Sequence, residues 1–293
     1  MSRIVVLGDV MVDVVARLTG PLAAASDAPA TIRFHGGGSA ANTAAWLAAA
    51  GARAVLVGCV GDDERGRHEL GELRRTGVDA RLAVDPELPT GTCVVLVGPD
   101  GERTMVPDAG ANDALEEGDV PDELLERGGH LHVAGYALLR EGSRPAARGA
   151  IGRALRAGMS VSVDPSSSAL LSPEFLDWAD GAGLLLPNVP EALALTGEPD
   201  PELAARALAG RFEEVVVTLG AEGALWTDGD EVVRVAAVAV EAAEDSTGAG
   251  DAFAAGLLAA RVAGAPVAEA LAAGSRLAAR AVAQSGARPD GGH

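Results

Sequence analysis

Short apolar runs alternate along the chain with longer segments whose apolar residues have helical spacing. The runs are rich in valine and leucine and lie at 4–7, 55–60, 130–133, 160–163, 183–186 and 214–217. Continuous apolar strands of this kind are typical of parallel sheets, because helices cover both faces of such a sheet. The alternation therefore predicts an α/β fold built from βαβ units, with a mostly parallel sheet.

Length and composition restrict the class of protein. A chain of 293 residues can form one large α/β domain, which we favour, and although 48% of its residues are hydrophobic, no apolar run approaches the ~18–20 residues of a membrane span. The first residues lead directly into a strand rather than a signal peptide, so we expect a cytoplasmic protein without a membrane contact. Neither Cys59 nor Cys93 has a metal-binding or redox spacing, so both are predicted to be buried apolar groups.

Charge excludes several functions. The net charge of -19 argues against a nucleic-acid partner, which requires a basic surface. The chain contains no lysine, so all 23 basic residues are arginine. This excludes a P-loop, a protein-kinase lysine and a Schiff-base lysine. A phosphoryl transfer by this chain would have to use backbone amides, a metal ion and arginine.

The stretch 244–253, Glu-Asp-Ser-Thr-Gly-Ala-Gly-Asp-Ala-Phe, carries the strongest functional signal. Capping-type residues and two glycines precede a helix, and the free N–H groups of a helix start can hold an anion. Asp251 would be repelled by that anion unless it has a task there, such as taking a proton from an attacking hydroxyl. The alternative is an ordinary capped helix.

Polar residues follow several other predicted strands. Asp9 and Asp13 come after the first strand, at the sheet edge where α/β proteins bind ligands, although both can also be solvated loop carboxylates, Asp9 more than Asp13. Glycines at 36–38 precede another helix, for which Ser39 is a candidate cap. His130 and His132 share one strand face, but a structural role is favoured over metal binding because no third ligand is near.

The stretch DSTGAGDAFAAG resembles the C-terminal signature of the ribokinase-like (PfkB) carbohydrate kinases. The resemblance implies that Asp251 is the catalytic base and that the amides of Gly248, Ala249 and Gly250 form the anion hole. The segment 36–42 resembles the N-terminal signature of the same family. The sugar site implied by the resemblance consists of Asp13, Gly37, Gly38 and Asn42.

The resemblance also implies an ATP site and metal sites. Asn188 and Glu191 match the NxxE motif, in which Glu191 organises Mg²⁺ through water, and Mg²⁺ needs few protein ligands because it keeps much of its hydration. The TxGxxG nucleotide loop falls at 218–223. Asp245 and the loop near Gly286 resemble a site for a monovalent cation such as K⁺. The nucleotide-binding residues implied are Asn188, Thr218, Gly220, Gly223 and Ser275.

The fold implied by the resemblance is a three-layer α/β/α domain over 1–293 with a mostly parallel central sheet. A small β-sheet lid formed by approximately 12–35 and 90–108 would exclude water from the reaction. Exposed strand edges of such a lid can pair between two copies of the chain, so a homodimer is an expected assembly.

The sequence does not identify the molecule that accepts the phosphoryl group. Ribokinase proper has a lysine in place of Ser39 and an asparagine in place of Met11, so two of its sugar contacts are missing here. The alternatives are a nucleoside such as adenosine or pseudouridine, 2-keto-3-deoxygluconate, and a heptose phosphate with Arg33 and Arg103 as basic partners. A dinucleotide oxidoreductase is disfavoured because no GxGxxG follows the first strand. A non-catalytic ligand-binding protein is disfavoured because Asp251 and NxxE are both present.

Overall fold

A computed structural model describes residues 2–22, 25–241 and 243–289. Residues 23 and 24, in the predicted lid, and residues 1, 242 and 290–293, in the predicted single domain, lie outside the described residues. The strands are β1 Arg3–Leu7, β2 Met11–Leu18, β3 Ala30–Gly37, β4 Arg53–Gly61, β5 Asp79–Asp85, β6 Gly91–Val97, β7 Arg103–Asp108, β8 His130–Ala134, β9 Ser160–Asp164, β10 Leu184–Leu185, β11 Glu214–Thr218, β12 Ala224–Thr227 and β13 Val232–Val235.

The α-helices alternate with the strands of the larger sheet, as the sequence predicts. They are α1 Ser39–Ala49, α2 Glu64–Arg75, α3 Tyr136–Leu139, α4 Arg144–Ala157, α5 Phe175–Trp178, α6 Val189–Thr196, α7 Pro201–Leu208, α8 Ala249–Val262 and α9 Val267–Val282. In the described part of the chain, no helix combines the length and the apolar character that a membrane crossing requires.

The larger sheet has the strand order β13-β12-β11-β10-β9-β8-β1-β4-β5. The neighbouring strands in the part of this order that runs β11-β10-β9-β8-β1-β4-β5 are all parallel. Strands β12 and β13 add an antiparallel edge beside β11. Because β1 alternates its side chains between two faces, Ile4 and Val6 pack against α1 and α8, whereas Val5 and Leu7 pack against α4. This arrangement confirms the predicted three-layer α/β/α fold.

A smaller sheet has the order β3-β2-β6-β7. The β2–β3 and β6–β7 pairs are antiparallel and the central β2–β6 pair is parallel. In this register Asp13 of β2 lies beside His35 of β3 and Cys93 of β6. One face of the small sheet therefore carries Asp13 toward the edge of the larger sheet where the parallel strands end.

Candidate active site

A cavity of about 240 Å³ lies between the small sheet and the carboxyl ends of the parallel strands. Its walls combine residues that are far apart in the sequence, because the loops after β1, β9, β10 and β11 all reach this edge. The predicted site residues that line it are Asp13, Gly38, Asn42, Asn188, Glu191, Thr218, Gly248, Gly250 and Asp251.

Other predicted residues lie outside the lining of this cavity. Gly37 is adjacent, because a side chain there would collide with the Asp13 carboxylate. Gly220 and Gly223 are in the turn between β11 and β12, and Ser275 is buried on α9 with its hydroxyl unpaired among the described residues. Ala249 is the first residue of α8.

The start of α8 is built from backbone rather than from a side-chain cap. Gly248 is the N-cap, with φ +77°, and no side chain in the described part of the chain caps the helix. A Cβ at this position would also meet the backbone of Ala287, so glycine is required for two reasons. The expectation that Asp245, Ser246 or Thr247 caps this helix was wrong: Asp245 instead accepts a bond from the Thr247 N–H within the preceding turn, at 2.8 Å.

The N–H groups of this turn are mostly free. Ala249 N–H donates to Ser246 O at 3.3 Å. Among the described residues, no acceptor takes the N–H groups of Gly248, Gly250 or Asp251. Free N–H groups at a helix start, together with the helix dipole, can bind an anion.

Asp251 is held at the cavity by two side chains of α1. Ser39 Oγ donates to Asp251 Oδ1 at 2.7 Å, and Asn42 Nδ2 donates to Asp251 Oδ2 at 2.9 Å. Burial raises the pKa of Asp251 to about 7, and the nearby Asp164 and Asp9 add to this, while the two hydrogen bonds oppose it. A carboxylate with a pKa near 7 is well matched to accept a proton at neutral pH.

Asp9 occupies the start of α1, which corrects its interpretation as a solvated loop carboxylate. Its carboxylate accepts the N–H groups of Ser39 and Ala40, both at 3.2 Å, and its carbonyl accepts that of Ala41 at 3.3 Å. Asp9 is 5% exposed. Ser39 therefore does not cap α1 but is free to bind Asp251.

Asp13 lies on β2 over the same cavity. Burial raises its pKa to about 6; Arg288 opposes this rise, and Asp9, Glu69 and Asp245 reinforce it. On β3, Gly37 pairs with Met11, and the absence of a side chain at Gly37 leaves the space that the Asp13 carboxylate fills. A carboxylate so placed can accept hydrogen bonds from two hydroxyl groups.

Arg288, near the C-terminus, organises the residues behind Asp13 and Asp251. It donates to Glu69 Oε2 at 2.6 Å, to Gly37 O at 2.7 Å and to Asn42 Oδ1 at 3.3 Å. The Asn42 amide is thereby oriented with its NH₂ group toward Asp251. Sequence analysis missed this residue, because nothing local to Arg288 indicates partners more than 200 positions away.

Glu191 and Asn188 form a reciprocal cap at the start of α6. Asn188 N–H donates to Glu191 Oε2 and Glu191 N–H donates to Asn188 Oδ1, both at 2.9 Å. Burial raises the pKa of Glu191 to about 6 and that of nearby Asp164 well above its usual value. The close approach of two buried carboxyl groups would be relieved by a divalent cation.

The site fits a largely hydrated metal ion better than a protein cage. In the described part of the chain, no group of three or more His, Cys, Asp or Glu side chains has the geometry of a metal centre. Glu191 Oε1 receives no hydrogen bond from the described residues, so it can face a hydrated ion. Mg²⁺ commonly binds proteins through one or two carboxylates and several waters.

Asp245 lies at a second, adjoining cavity of about 210 Å³, beside Gly286. Arg103 of β7 forms an ion pair with Asp245 at 2.7 Å and donates to Thr247 Oγ1 at 2.5 Å. The carboxylate that was predicted to hold a monovalent cation is thus already balanced by a guanidinium from the small sheet.

The two histidines and both cysteines have structural environments. His130 bonds to Ser160 and Ser162, and His132 bonds to Ser162, all at 2.7–2.8 Å. Burial lowers their pKa values to about 4 and about 3, so both are neutral. Cys59 and Cys93 are free and buried, as predicted.

The sequence matches the profile of one protein family. The family profile described as pfkB family carbohydrate kinase matches residues 1–290. A 2-dehydro-3-deoxygluconokinase of Thermoproteus tenax is 33% identical over 271 residues, covering 87% of this chain and 80% of that protein.

Solved structures extend the likeness to the fold. The adenosine kinase of Sinorhizobium meliloti superposes with a TM-score of 0.90 at 30% identity, covering 99% of this chain and 96% of that one. A fructokinase double mutant of Vibrio cholerae O395, in a form with bound fructose, ADP and potassium ion, has a TM-score of 0.85 at 30% identity, with 98% and 94% coverage.

Proposed function

Because this chain belongs to the pfkB family of carbohydrate kinases, we propose that it transfers the γ-phosphoryl group of ATP to a hydroxyl of a small sugar or sugar-like acceptor. The observation that carries the proposal is Asp251, a carboxylate with a pKa of about 7 beside the free amides that begin α8. A base and an anion site that share one helix turn suit the attack of a hydroxyl on a phosphoryl group.

The acceptor half of the cleft binds and activates the hydroxyl. Asp13, Asn42, Gly37 and Gly38 would position the sugar beneath the small sheet, which would limit the access of water to the reacting groups. Asp251 would accept the hydroxyl proton as the acceptor oxygen bonds to the γ-phosphorus. The bond from that phosphorus to the bridging oxygen breaks in the same transfer, and ADP leaves with the electron pair.

The donor half binds the nucleotide and holds the transferring group. Gly248, Ala249 and Gly250 would direct their N–H groups at the phosphoryl oxygens, with the Ala249 group shared with Ser246 O before binding. A Mg²⁺ ion organised by Glu191 would neutralise charge on the ATP phosphates. The remaining nucleotide contacts proposed are Asn188, Thr218, Gly220, Gly223 and Ser275.

The test measures ADP release with ribose, fructose, 2-keto-3-deoxygluconate, adenosine and pseudouridine in the presence of Mg²⁺. Saturable, acceptor-dependent ADP release supports the proposal. Absence of turnover with every acceptor would favour a ligand-binding protein instead. Adenosine is included because an adenosine kinase is among the similar structures.

A monovalent cation at Asp245 is a further part of the proposal. Arg103 already pairs with Asp245 Oδ1, so K⁺ would have to bind at Oδ2, which receives only a 3.4 Å bond from Gly286. We therefore expect a shallow dependence on K⁺, of about threefold or less in kcat/KM. A titration against a bulky organic cation measures it, and an all-or-none requirement for K⁺ would contradict this arrangement.

A homodimer through the small sheet is also proposed. The face of this sheet turned away from the cavity exposes Phe34 at 65%, Ile32 at 58% and Val106 at 55%. Such a contiguous apolar face is costly in water and suits a second copy of the chain. Light scattering checks the mass, and Phe34→Asp should shift a dimer toward monomer.

We place the enzyme in the cytoplasm, where ATP is available.

A further inference from the structure

Arg140 places a guanidinium at the candidate active-site cavity, where no described residue accepts a hydrogen bond from it. It follows α3 at the carboxyl end of β8 and lines the cavity that contains Asp251. Its side chain is only 16% exposed, and among the described residues its guanidinium donates no hydrogen bond; Nη1 is buried and unpaired. Buried donors are nearly always paired, so the buried and unpaired Nη1 of a guanidinium that lines a cleft indicates a missing ligand.

The contacts that Arg140 makes with described residues hold its guanidinium in place without accepting a hydrogen bond from it. Asp113 is 3.9 Å away, which is too long for a hydrogen bond, and it is half exposed. The Tyr136 ring lies beneath the guanidinium, with 5.5 Å to its centroid. Arg144, one helical turn further, shows the structural alternative: it donates to Leu138 O and Leu139 O at 2.7 and 3.0 Å.

The position of Arg140 assigns it to the acceptor half of the cleft. β8 is the direct neighbour of β1, which leads to Asp13, whereas Thr218 ends β11, three strands away. At ~4.8 Å per strand, this separates Arg140 from the donor side by about 14 Å of sheet. The other candidates are weaker, because Arg103 is paired with Asp245 and Arg33 does not line this cavity.

We propose that Arg140 binds an anionic group of the acceptor, so that the molecule phosphorylated carries a carboxylate or a phosphate besides its reacting hydroxyl. This rests on the proposed kinase function and narrows its substrate class. The cavity otherwise presents the carboxyl groups of Asp9, Asp13, Asp164, Glu191 and Asp251. An anionic acceptor would be repelled by these groups unless a guanidinium received it, and a bidentate pair with an oxyanion is the strongest contact that a guanidinium makes.

The experiment compares uncharged with anionic acceptors. Fructose, ribose and adenosine form one arm, fructose 6-phosphate and ribose 1-phosphate the phosphate arm, and 2-keto-3-deoxygluconate the carboxylate arm. We expect the highest kcat/KM in one anionic arm, which also identifies the oxyanion. Preference for an uncharged acceptor overturns the inference and leaves the kinase function intact, whereas no turnover in any arm contradicts the function itself.

Arg140→Gln tests the residue. With the anionic acceptor, KM should rise roughly 10- to 100-fold, the range for one lost charge-assisted contact, while KM for ATP stays within about threefold. Arg140→Lys, which keeps the charge but loses the planar fork, should recover part of the loss. An equal rise in KM for ATP would assign Arg140 to the donor and overturn the proposal.

Asp113→Asn is the matched control for a structural role. If Arg140 served only to pair with Asp113, both variants would raise the acceptor KM alike, and that result would contradict the proposal. We expect no change beyond about threefold in Asp113→Asn. Thermal unfolding gives an independent readout: Arg140→Gln should unfold near the wild-type temperature without acceptor, because no hydrogen bond is lost, but should gain little stability when the anionic acceptor is added.

Discussion

Two helices of this protein, α1 and α8, begin after glycines at the same edge of the sheet, but the N–H groups at their N-termini are paired differently. At α1, Asp9 supplies acceptors for the N–H groups of three successive residues. At α8, Gly250 and Asp251 keep N–H groups that no described residue accepts. A glycine-led helix start keeps N–H groups available for an anion only where the fold does not bring its own carboxylate to it.

The difference also explains the opposite roles of the two aspartates. The carboxylate of Asp9 binds the N–H groups at the start of α1. The side chains of Ser39 and Asn42 are therefore available to donate hydrogen bonds to Asp251. Asp251 lies within the first turn of α8, but its carboxylate accepts hydrogen bonds from Ser39 and Asn42 and faces the cavity.

The largest expected effect comes from Asp251→Asn. Loss of the base should lower kcat by ~10²–10⁴, the usual contribution of general-base catalysis, while ADP binding stays within about threefold because the amides of α8 remain. Steady-state kinetics and calorimetric titration with ADP measure the two quantities. Wild-type turnover in this variant would contradict the role of Asp251.

Arg288→Gln should break the support behind α1. Glu69, 2% exposed, would lose its ion-pair partner, and removal of one member of a buried pair costs about 3–5 kcal/mol of unfolding free energy. Urea denaturation measures the change. Arg148→Gln on the exposed face of α4 is the control, with an expected change within about 0.5 kcal/mol. Equal stability of the two variants would show that the contacts of Arg288 contribute nothing to the free energy of unfolding.

A pair of alanine substitutions separates the two glycines of the α8 turn. Gly248→Ala should destabilise the protein by about 1–2 kcal/mol, because an L residue is strained at φ +77° and its Cβ meets the Ala287 backbone. Gly250→Ala places its Cβ in space where, beyond its chain neighbours and its own helix backbone, no described atom lies within 4 Å, and it should leave stability within about 0.5 kcal/mol. Thermal denaturation ranks them, and the reverse order would refute this account of the turn.

The pH dependence of stability should distinguish the carboxylate at the open helix start from an ordinary surface carboxylate. The folded-state pKa of Asp251 is about 7, above its usual value of 3.8, so the folded protein binds this proton more tightly than the unfolded chain. Its contribution to stability is therefore greatest below pH ~4 and is lost as pH rises toward 7. The stability of Asp251→Asn relative to wild type should increase over that range; a constant difference would contradict the raised pKa.

Local chemistry was largely predictable. Apolar runs identified β1, β4, β8, β9, β10 and β11 but not β5, β12 or β13. The glycines and carboxylates that follow several of these strands indicated the cavity edge. The resemblance to two family signatures singled out Asp251, Asn188 and Glu191, and all three line the cavity. The same local reasoning was wrong for Ser39 and for the caps of α8, because capping propensity does not reveal whether a distant side chain is present.

By itself, the sequence determined the βαβ order, the helix that begins at the 244–253 stretch and the carboxylate in its first turn, since these depend on patterns within a few neighbouring residues. Only the tertiary structure decided that Ser39 meets Asp251 across 212 positions, that Arg288 orients Asn42 across 246, and that no described residue accepts a hydrogen bond from Arg140 Nη1. The physical reason is that hydrogen bonds between distant segments depend on how the helices pack against the sheet, and no local spacing encodes that packing.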